Sequence, residues 1–504
     1  MAIRTPQAYL QSLKDDRVIY CKGERVKDVT RHPLLKIAVS GCVMDYVVAN
    51  MPEYHNIAVT GDEQGEDISY VFTPARSAAD LLRFRDIVQL MARIRFGQPG
   101  GAKFTGVDAL HALTVGAKNI DRATGSHYSE RVEEYRKYLC RSDPAIVACM
   151  TDVKGNRSLR PSKQEQHQDY YLRIVAERKD GIVVRGAKMH ISQAACANEM
   201  IVLPCRAMAE EDKDYAVAFA IPVNTSGVTI ITGDETPAEA GNYFDFPISA
   251  SMYSASGLVV FDDVFVPAER VFLQKEWQFS ARYTYLFADF HRLTADSYTY
   301  AELEVMVGLA ALLAEYNGLE RVPHIMDKLS WLMLYAEGVE ALGKAAAVSC
   351  LREPDTELVY PNPMYSNVAK FFFADNFHQA MKYIQDIGGG LVANAPSSKD
   401  FLNPDTHQML EKYFGGKAGI ATEHRLRAIA LAKDMTSAWK SAATIHAEGS
   451  LATQRLAVYA RGDWDRYKAA AKRAARIEDG TQHEMFRKMP EFPYNFNDDG
   501  PDRV

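Results

Sequence analysis

The sequence predicts an α+β fold, mostly α, in which a helical layer is followed by an antiparallel β-domain and then by a helical bundle. Two observations carry this reading. Apolar residues recur at intervals of three and four over roughly the first 140 residues and again beyond Pro267, the period of an amphipathic helix. Between these stretches lie short β-rich runs separated by turn residues, without the helix-length inserts that a parallel βαβ sheet requires.

In the first segment, 1–143, the string SAADLLRFRDIVQLMARI places Ala79, Leu82, Ile87, Leu90 and Met91 at helical spacing behind Ser77, a suitable N-cap. The middle segment, 144–275, reads YYLRIVAER, IVVRGAKMHI, EMIVLP, DYAVAFAIPV and GLVVFDDVFVP. Lys179-Asp180-Gly181, between two of these runs, has the composition of a hairpin connection. No GxGxxG follows a strand, so a Rossmann nucleotide site is not expected. From 276 to 480 the helical period returns, with Ile325, Leu329, Leu332, Ala336, Val339 and Leu342 on one stripe. The remainder, 481–504, is rich in Pro, Asp and Asn and reads as an irregular tail.

Composition narrows the function classes. A chain of 504 residues is long enough for two or three domains, and 47% apolar with 24% charged residues is ordinary for a globular protein. The formal charge of −7, without a run of five basic residues, argues against a broad nucleic-acid or anionic-membrane surface. The first twenty residues lack an uninterrupted apolar stretch and no window approaches a membrane span, so a cytoplasmic chain is expected. The seven cysteines are scattered and include no CxxC, so neither a disulfide scaffold nor a metal knuckle is expected.

Three strings carry chemistry. MTDVKGNR, 150–157, offers hydrogen-bonding groups on Thr151 and Asp152 and charge on Lys154 and Arg157, although it also describes a turn between a helix and a strand. In RGAKMHIS, alternation puts Lys188, His190 and Ser192 on one face of a strand, a pattern that equally suits a solvent-facing edge. In IGGGLVANAPSS, Gly388, Gly389 and Gly390 let backbone N–H groups approach an anion and Ser397 and Ser398 add hydroxyls; three glycines also stop helices.

Together with GERVKDVTRHP and GLVVFDDVFVP, these strings resemble the family uniting 4-hydroxyphenylacetate 3-hydroxylases with 4-hydroxybutyryl-CoA dehydratases, over nearly the whole chain. The resemblance implies an acyl-CoA dehydrogenase-like fold: N-terminal helical domain, middle antiparallel β-domain and C-terminal four-helix bundle, assembled as a homotetramer with FAD near subunit interfaces. It implies that Met150, Thr151, Asp152, Lys154 and Arg157 lie along the flavin, that His190 and Ser192 face it, and that Gly388–Gly390 with Ser397 serve the pyrophosphate of a neighbouring subunit's FAD.

Departures from the family are as informative. Its dehydratase branch carries a [4Fe–4S] cluster on three cysteines and a histidine, yet FGQPGGAKFTGVDAL contains no cysteine and Tyr298 stands where the third should be. A phenol cannot replace a thiolate there, so only His291 remains and no iron–sulfur cluster is expected. The branch's catalytic carboxylates correspond to Ser256 and Ala443. The hydroxylase branch's substrate-binding arginine, tyrosine and histidine correspond to Gly101, Thr105 and about Ala148. The flavin framework is kept while both substrate constellations are gone, which points to a different substrate.

The expected activity is that of an FAD(H2)-dependent two-component monooxygenase, hydroxylating an aromatic or related small molecule with O2 and supplied by a separate flavin reductase. His291 in FADFHRLTAD is the first choice for acid/base work because imidazole titrates near neutrality. Arg292 could hold an anionic substrate, but neighbouring helix positions point apart. Lys103, Thr105, Tyr298 and Glu448 are further candidates. Two alternatives stand beside this: a cluster-free flavin enzyme acting on an acyl-CoA thioester, and a flavin-binding homologue without catalysis.

Overall fold

Six helices account for most of the first 143 residues: α1 (Pro6–Ser12), α2 (Leu35–Ala49), α3 (Pro52–Ala58), α4 (Ala78–Ile94), α5 (Phe104–Thr124) and α6 (Tyr128–Ser142). This computed structural model describes residues 3–98, 101–233, 241–250, 253–354, 356–436, 449–475 and 477, so Ala443, Glu448 and the 481–504 tail lie outside the described residues. Met1–Arg455 form one compact unit and Leu456–Val504 another; the latter holds the helix Trp464–Ala474. Ser77 caps α4 by accepting from the Asp80 backbone N–H. The buried face of α4 is Leu81, Phe84, Ile87, Val88 and Met91, whereas Ala79 is exposed. The helix has turned from the expected stripe because Leu81 and Phe84 remove far more apolar area from water than Ala79 would.

The segment is not purely helical. Strands β1 (Ile19–Cys21) and β2 (Glu24–Arg25) join the larger sheet of the middle segment, and β3 (Val59–Gly61) pairs with β4 (Asp67–Ser69) in a hairpin. The middle segment contributes β5 (Ile146–Cys149), β6 (Arg173–Arg178), β7 (Gly181–Ile191), β8 (Glu199–Val202), β9 (Val217–Pro222), β10 (Val228–Thr232), β11 (Gly257–Pro267) and β12 (Val271–Gln274). These form a six-stranded sheet ordered β2-β1-β10-β11-β7-β6 and a four-stranded sheet ordered β12-β9-β8-β5. Pairing is antiparallel apart from β1 with β10 and β5 with β8. The hairpin expected at Lys179-Asp180 joins β6 to β7, with Arg178 opposite Gly181. Side chains from both sheets interdigitate, Phe219 meeting Phe261 edge-on at 6.0 Å.

The bundle comprises α7 (Ser280–Tyr316), α8 (Pro323–Val348), α9 (Pro363–Gly388) and, after the short helices α10 (Leu391–Asn394), α11 (Ser398–Leu402) and α12 (Pro404–Tyr413), α13 (Thr422–Thr436). Its core joins Leu309 and Leu313 of α7, Leu332 and Val339 of α8, Phe377 and Ile384 of α9 and Ile429 of α13. Two glycines wedge α5 between sheet and bundle. A Cβ on Gly106 would lie 2.5 Å from the Ile146 carbonyl carbon of β5, and one on Gly116 would lie 2.4 Å from the Tyr283 ring of α7. Among the described residues no helix is long and apolar enough to cross a membrane.

Candidate active site

The 150–157 string leaves the end of β5 and docks on β7. The Met189 N–H donates to the Thr151 carbonyl at 2.8 Å, and Asp152 forms a bridge with Lys188. The Lys188 ammonium is buried. It lies 2.9 Å from Asp152 Oδ1 and donates to the carbonyls of Met150 at 3.0 Å and Leu203 at 2.9 Å. Asp152 also accepts from the Leu172 N–H at 2.9 Å. Its carboxylate is thus committed to tying down the segment, and Thr151 is the hydroxyl-bearing neighbour left half-exposed.

Lys188, His190 and Ser192 do not share one face. Between Gly257 and Val259 of β11 the register slips, so three residues of β7 span what two of β11 cover, and His190 takes φ +60°. This bulge leaves Lys188 in the core and turns His190 and Ser192 outward. Ser192 Oγ is 3.3 Å from Ser256 Oγ, itself 2.5 Å from Ser254 Oγ, making a row of hydroxyls. The His190 pKa is depressed by partial burial and then by the charges of Lys154 and Arg157, two cations near its imidazole. Lys154 has φ +76° and Arg157 is exposed. A row of neutral hydroxyls, with two cations near the adjacent His190, fits the polar ring edge and phosphates of a flavin dinucleotide.

On the helical side, His291 of α7 faces Asp108 of α5. His291 Nδ1 is 2.8 Å from Asp108 Oδ2, and the Thr294 hydroxyl donates to Asp108 Oδ1 at 2.7 Å. Asp108 is fully buried, and the Phe287 ring stacks on the imidazole with centroids 5.1 Å apart. Phe287 and Phe290 belong to the larger apolar core, against which Met150 at the start of the 150–157 segment also packs. Sequence reasoning missed Asp108, although an isolated acid in the apolar string GVDALHAL is unusual and a carboxylate is rarely fully buried without a partner. The same signal runs along α7, where Asp289, Arg292, Asp296 and Glu302 are all buried.

The other candidates on the helical side are distributed along α5 and α7. Arg292 is buried beside Gly449, whose Cβ would lie 3.7 Å from its Nη2. The Lys103 ammonium is 2.5 Å from the buried Asp143 carboxylate and 4.4 Å from the Tyr46 ring centroid. Tyr298 is partly buried two helical turns beyond His291, and Thr105 is partly buried in the first turn of α5. Among the described residues no three His, Cys, Asp or Glu side chains are grouped to hold a metal ion. With no cysteine in 96–110 and a phenol on Tyr298, the residues present do not fit an iron–sulfur cluster.

Gly388 ends α9, Gly389 caps it at φ +67° and Gly390 precedes α10. A Cβ on Gly388 would lie 3.5 Å from Leu313 of α7, and Leu313 is 22 residues beyond His291, about 33 Å along the helix. Ser397 forms a capping box with Asp400, while Ser398 donates to Asp245 at 2.6 Å. Within one chain these glycines are too distant from His291 for one dinucleotide to reach both.

A helical layer, a middle β-domain and a four-helix bundle define the acyl-CoA dehydrogenase-like class. Butyryl-CoA dehydrogenase from Megasphaera elsdenii has this fold, with TM-score 0.50 and 15% identity over 90% of this chain and 97% of that one. The chain belongs to the 4-hydroxyphenylacetate 3-hydroxylase family, whose N-terminal model matches residues 5–273 and whose C-terminal model matches 280–476. It is 30% identical to the 4-hydroxybutyryl-CoA dehydratase/vinylacetyl-CoA-Δ-isomerase of Clostridium aminobutyricum over 94% of this chain and 100% of that one. It is 29% identical to the 4-hydroxyphenylacetate 3-monooxygenase oxygenase component of Thermus thermophilus, covering 86% and 88% of the two chains. Similar solved structures include the oxygen-tolerant archaeal 4-hydroxybutyryl-CoA dehydratase from N. maritimus, with TM-score 0.88 and 29% identity over 95% of this chain and 96% of that one. The oxygenase component of 4-hydroxyphenylacetate 3-monooxygenase complexed with FAD gives TM-score 0.85 and 25% identity, covering 96% and 100%.

Proposed function

We propose that this chain is the oxygenase component of an FAD-dependent two-component monooxygenase that inserts one oxygen atom from O2 into an aromatic or related small molecule. The observation carrying the reading is the hydroxyl row of Ser192, Ser254 and Ser256 next to His190, whose imidazole feels the charges of Lys154 and Arg157, in a chain matched along its length to the 4-hydroxyphenylacetate 3-hydroxylase family. When bound, FAD supplies the redox chemistry that activates O2. Thr151, Ser192 and a neutral His190 hydrogen-bond the flavin, Lys154 and Arg157 supply charge along it, and Met150 contributes an apolar wall. His291 handles a substrate proton.

FADH2 comes from a separate flavin reductase, since no Rossmann motif is present. The distance between His291 and Gly388–Gly390 supports a homo-oligomer, in accord with the tetramer expected from the family, in which one copy's glycines and Ser397 complete the pyrophosphate site of another. A cytoplasmic location is part of the proposal.

The 30% identity to the dehydratase, with full coverage of that relative, favours a second reading: a cluster-free flavin enzyme acting on an acyl-CoA thioester. One experiment separates the two. The protein is mixed with chemically reduced FAD and air in the presence of a panel of phenols, and products are weighed by mass spectrometry. A gain of one oxygen atom supports the oxygenase; indifference to O2 together with binding of butyryl-CoA and crotonyl-CoA supports the second reading.

A further inference from the structure

On the monooxygenase reading, we propose that Arg206, beside the 150–157 segment, binds a carboxylate carried by the aromatic substrate and so sets which substrates the chain accepts. Residues 203–206 follow β8 and are tied to β5, β7 and α7. The Leu203 N–H donates to the Cys149 carbonyl at 3.1 Å, and the Lys188 ammonium bridges the carbonyls of Met150 and Leu203. The Thr284 hydroxyl of α7 donates to the Pro204 carbonyl at 3.0 Å. Cys205 lies near Asp152, since burial and then the charge of that carboxylate push its thiol up to about 12. Arg206 therefore extends from a backbone held in place next to Met150, Thr151 and Asp152.

A guanidinium that leaves water needs a counter-charge. Arg85, Arg95, Arg270 and Arg282 each have a carboxylate oxygen within 2.8 Å. Arg206 is half-buried and has none. Among the described residues its one bond is a long one, from Nη1 to the Tyr171 phenol oxygen at 3.5 Å. Burial raises the Tyr171 pKa, so that phenol is neutral and offsets no charge. A guanidinium presents five N–H donors in a planar fork, and a carboxylate takes two of them side by side. The donors that Tyr171 does not use are available for such a pair.

The surroundings of the guanidinium favour an aromatic acid over a simple anion. Met150 and Cys205 are partly buried and pack against the same apolar core, so each leaves part of its side chain accessible beside the segment. A ring resting on these side chains removes apolar surface from water while its carboxylate meets Arg206, so the two ends of the ligand are recognised by different means. A mineral anion has only the second contact. The cations near His190 are Lys154 and Arg157, which serve the flavin on this reading, so its phosphates do not require Arg206.

The test is isothermal titration calorimetry of the FAD-loaded protein with 4-hydroxybenzoate, 4-hydroxyphenylacetate and 3-(4-hydroxyphenyl)propionate, each compared with the alcohol of the same length. At least one acid should bind the wild type about 10- to 100-fold more tightly than its alcohol. Arg206→Gln should erase that preference while FAD and the alcohol bind as before. Arg206→Lys, which keeps the charge without the fork, should retain part of it. A wild type that prefers no acid, or a preference that survives Arg206→Gln, would overturn the proposal. So would an Arg206→Gln protein that loses affinity for FAD or for butyryl-CoA instead, because the anion would then be a phosphate of the cofactor or of CoA. Binding requires no turnover, which separates the two readings. If the acids bind through Arg206 but gain no oxygen, the monooxygenase reading fails and the subsite stands; if phenols gain oxygen with no preference for the acid, the subsite fails.

Discussion

Lys188 is the residue whose loss should do most damage to the 150–157 segment. Its ammonium has three N–H donors and three buried acceptors around it: Asp152 Oδ1 and the carbonyls of Met150 and Leu203. Lys188→Met keeps the aliphatic stem and removes the charge. It leaves the Asp152 carboxylate, 2% exposed, without its cation and removes a donor from two carbonyls. Removing one partner of a buried ion pair costs about 3–5 kcal/mol, a large part of the 5–15 kcal/mol that holds a typical domain together. Asp152→Asn should cost less, because the amide oxygen still accepts from Leu172 and Lys188. The double variant should cost less than the sum, with a coupling of about 2 kcal/mol, because no charge is then left buried alone. Urea unfolding followed by circular dichroism measures all four corners of the cycle. If Lys188→Met shifts stability by less than about 1 kcal/mol, or the two losses simply add, the ion pair does not hold the segment as described.

Two further outcomes follow from the wedge formed by α5. Gly106→Ala forces a methyl to within 2.5 Å of the Ile146 backbone, which should cost about 2–3 kcal/mol in urea unfolding; a neutral effect would mean that α5 and β5 are not so closely apposed. His111, packed between Phe84 and Phe290, is held neutral by burial, its pKa lowered to about 4 from an unfolded value of about 6.5. Because the unfolded chain takes up that proton first, this contribution to stability is complete above pH 6.5 and is lost as pH falls toward 4. It amounts to about 2 kcal/mol between pH 7 and pH 5. His111→Gln should flatten that part of the stability profile, and an unchanged slope would refute the assignment.

Much of the fold was legible because it depends on periodicities that single elements carry: the Ser77 cap, the Lys179-Asp180 hairpin and the α8 stripe from Ile325 to Val339 all stand where spacing put them. Properties that depend on two distant segments were not legible. The bulge that separates Lys188 from His190 is set by pairing with β11, 70 residues away in sequence, and alternation along β7 alone cannot register it. Strands β1 and β2 are too short to outweigh the helical pattern around them and exist because β10 offers an edge. Lys103 is a candidate from the resemblance alone, and its pairing with Asp143 at the left-handed end of α6 depends on two segments 40 residues apart. Conversely, Asp108 became significant only when α5 and α7 were side by side, since a lone acid in an apolar stretch does not disclose its partner.

The central claim is that this chain keeps a flavin platform, and equilibrium binding tests it most directly. Purified protein is titrated with FAD in air and with FADH2 under anaerobic conditions, and the flavin fluorescence is followed. The account predicts saturable binding, tighter for FADH2 as suits an oxygenase supplied by a separate reductase, and weakened by Ser192→Ala and by Lys154→Ala/Arg157→Ala. Wild-type protein that binds neither form, or binding indifferent to all three substitutions, would contradict it.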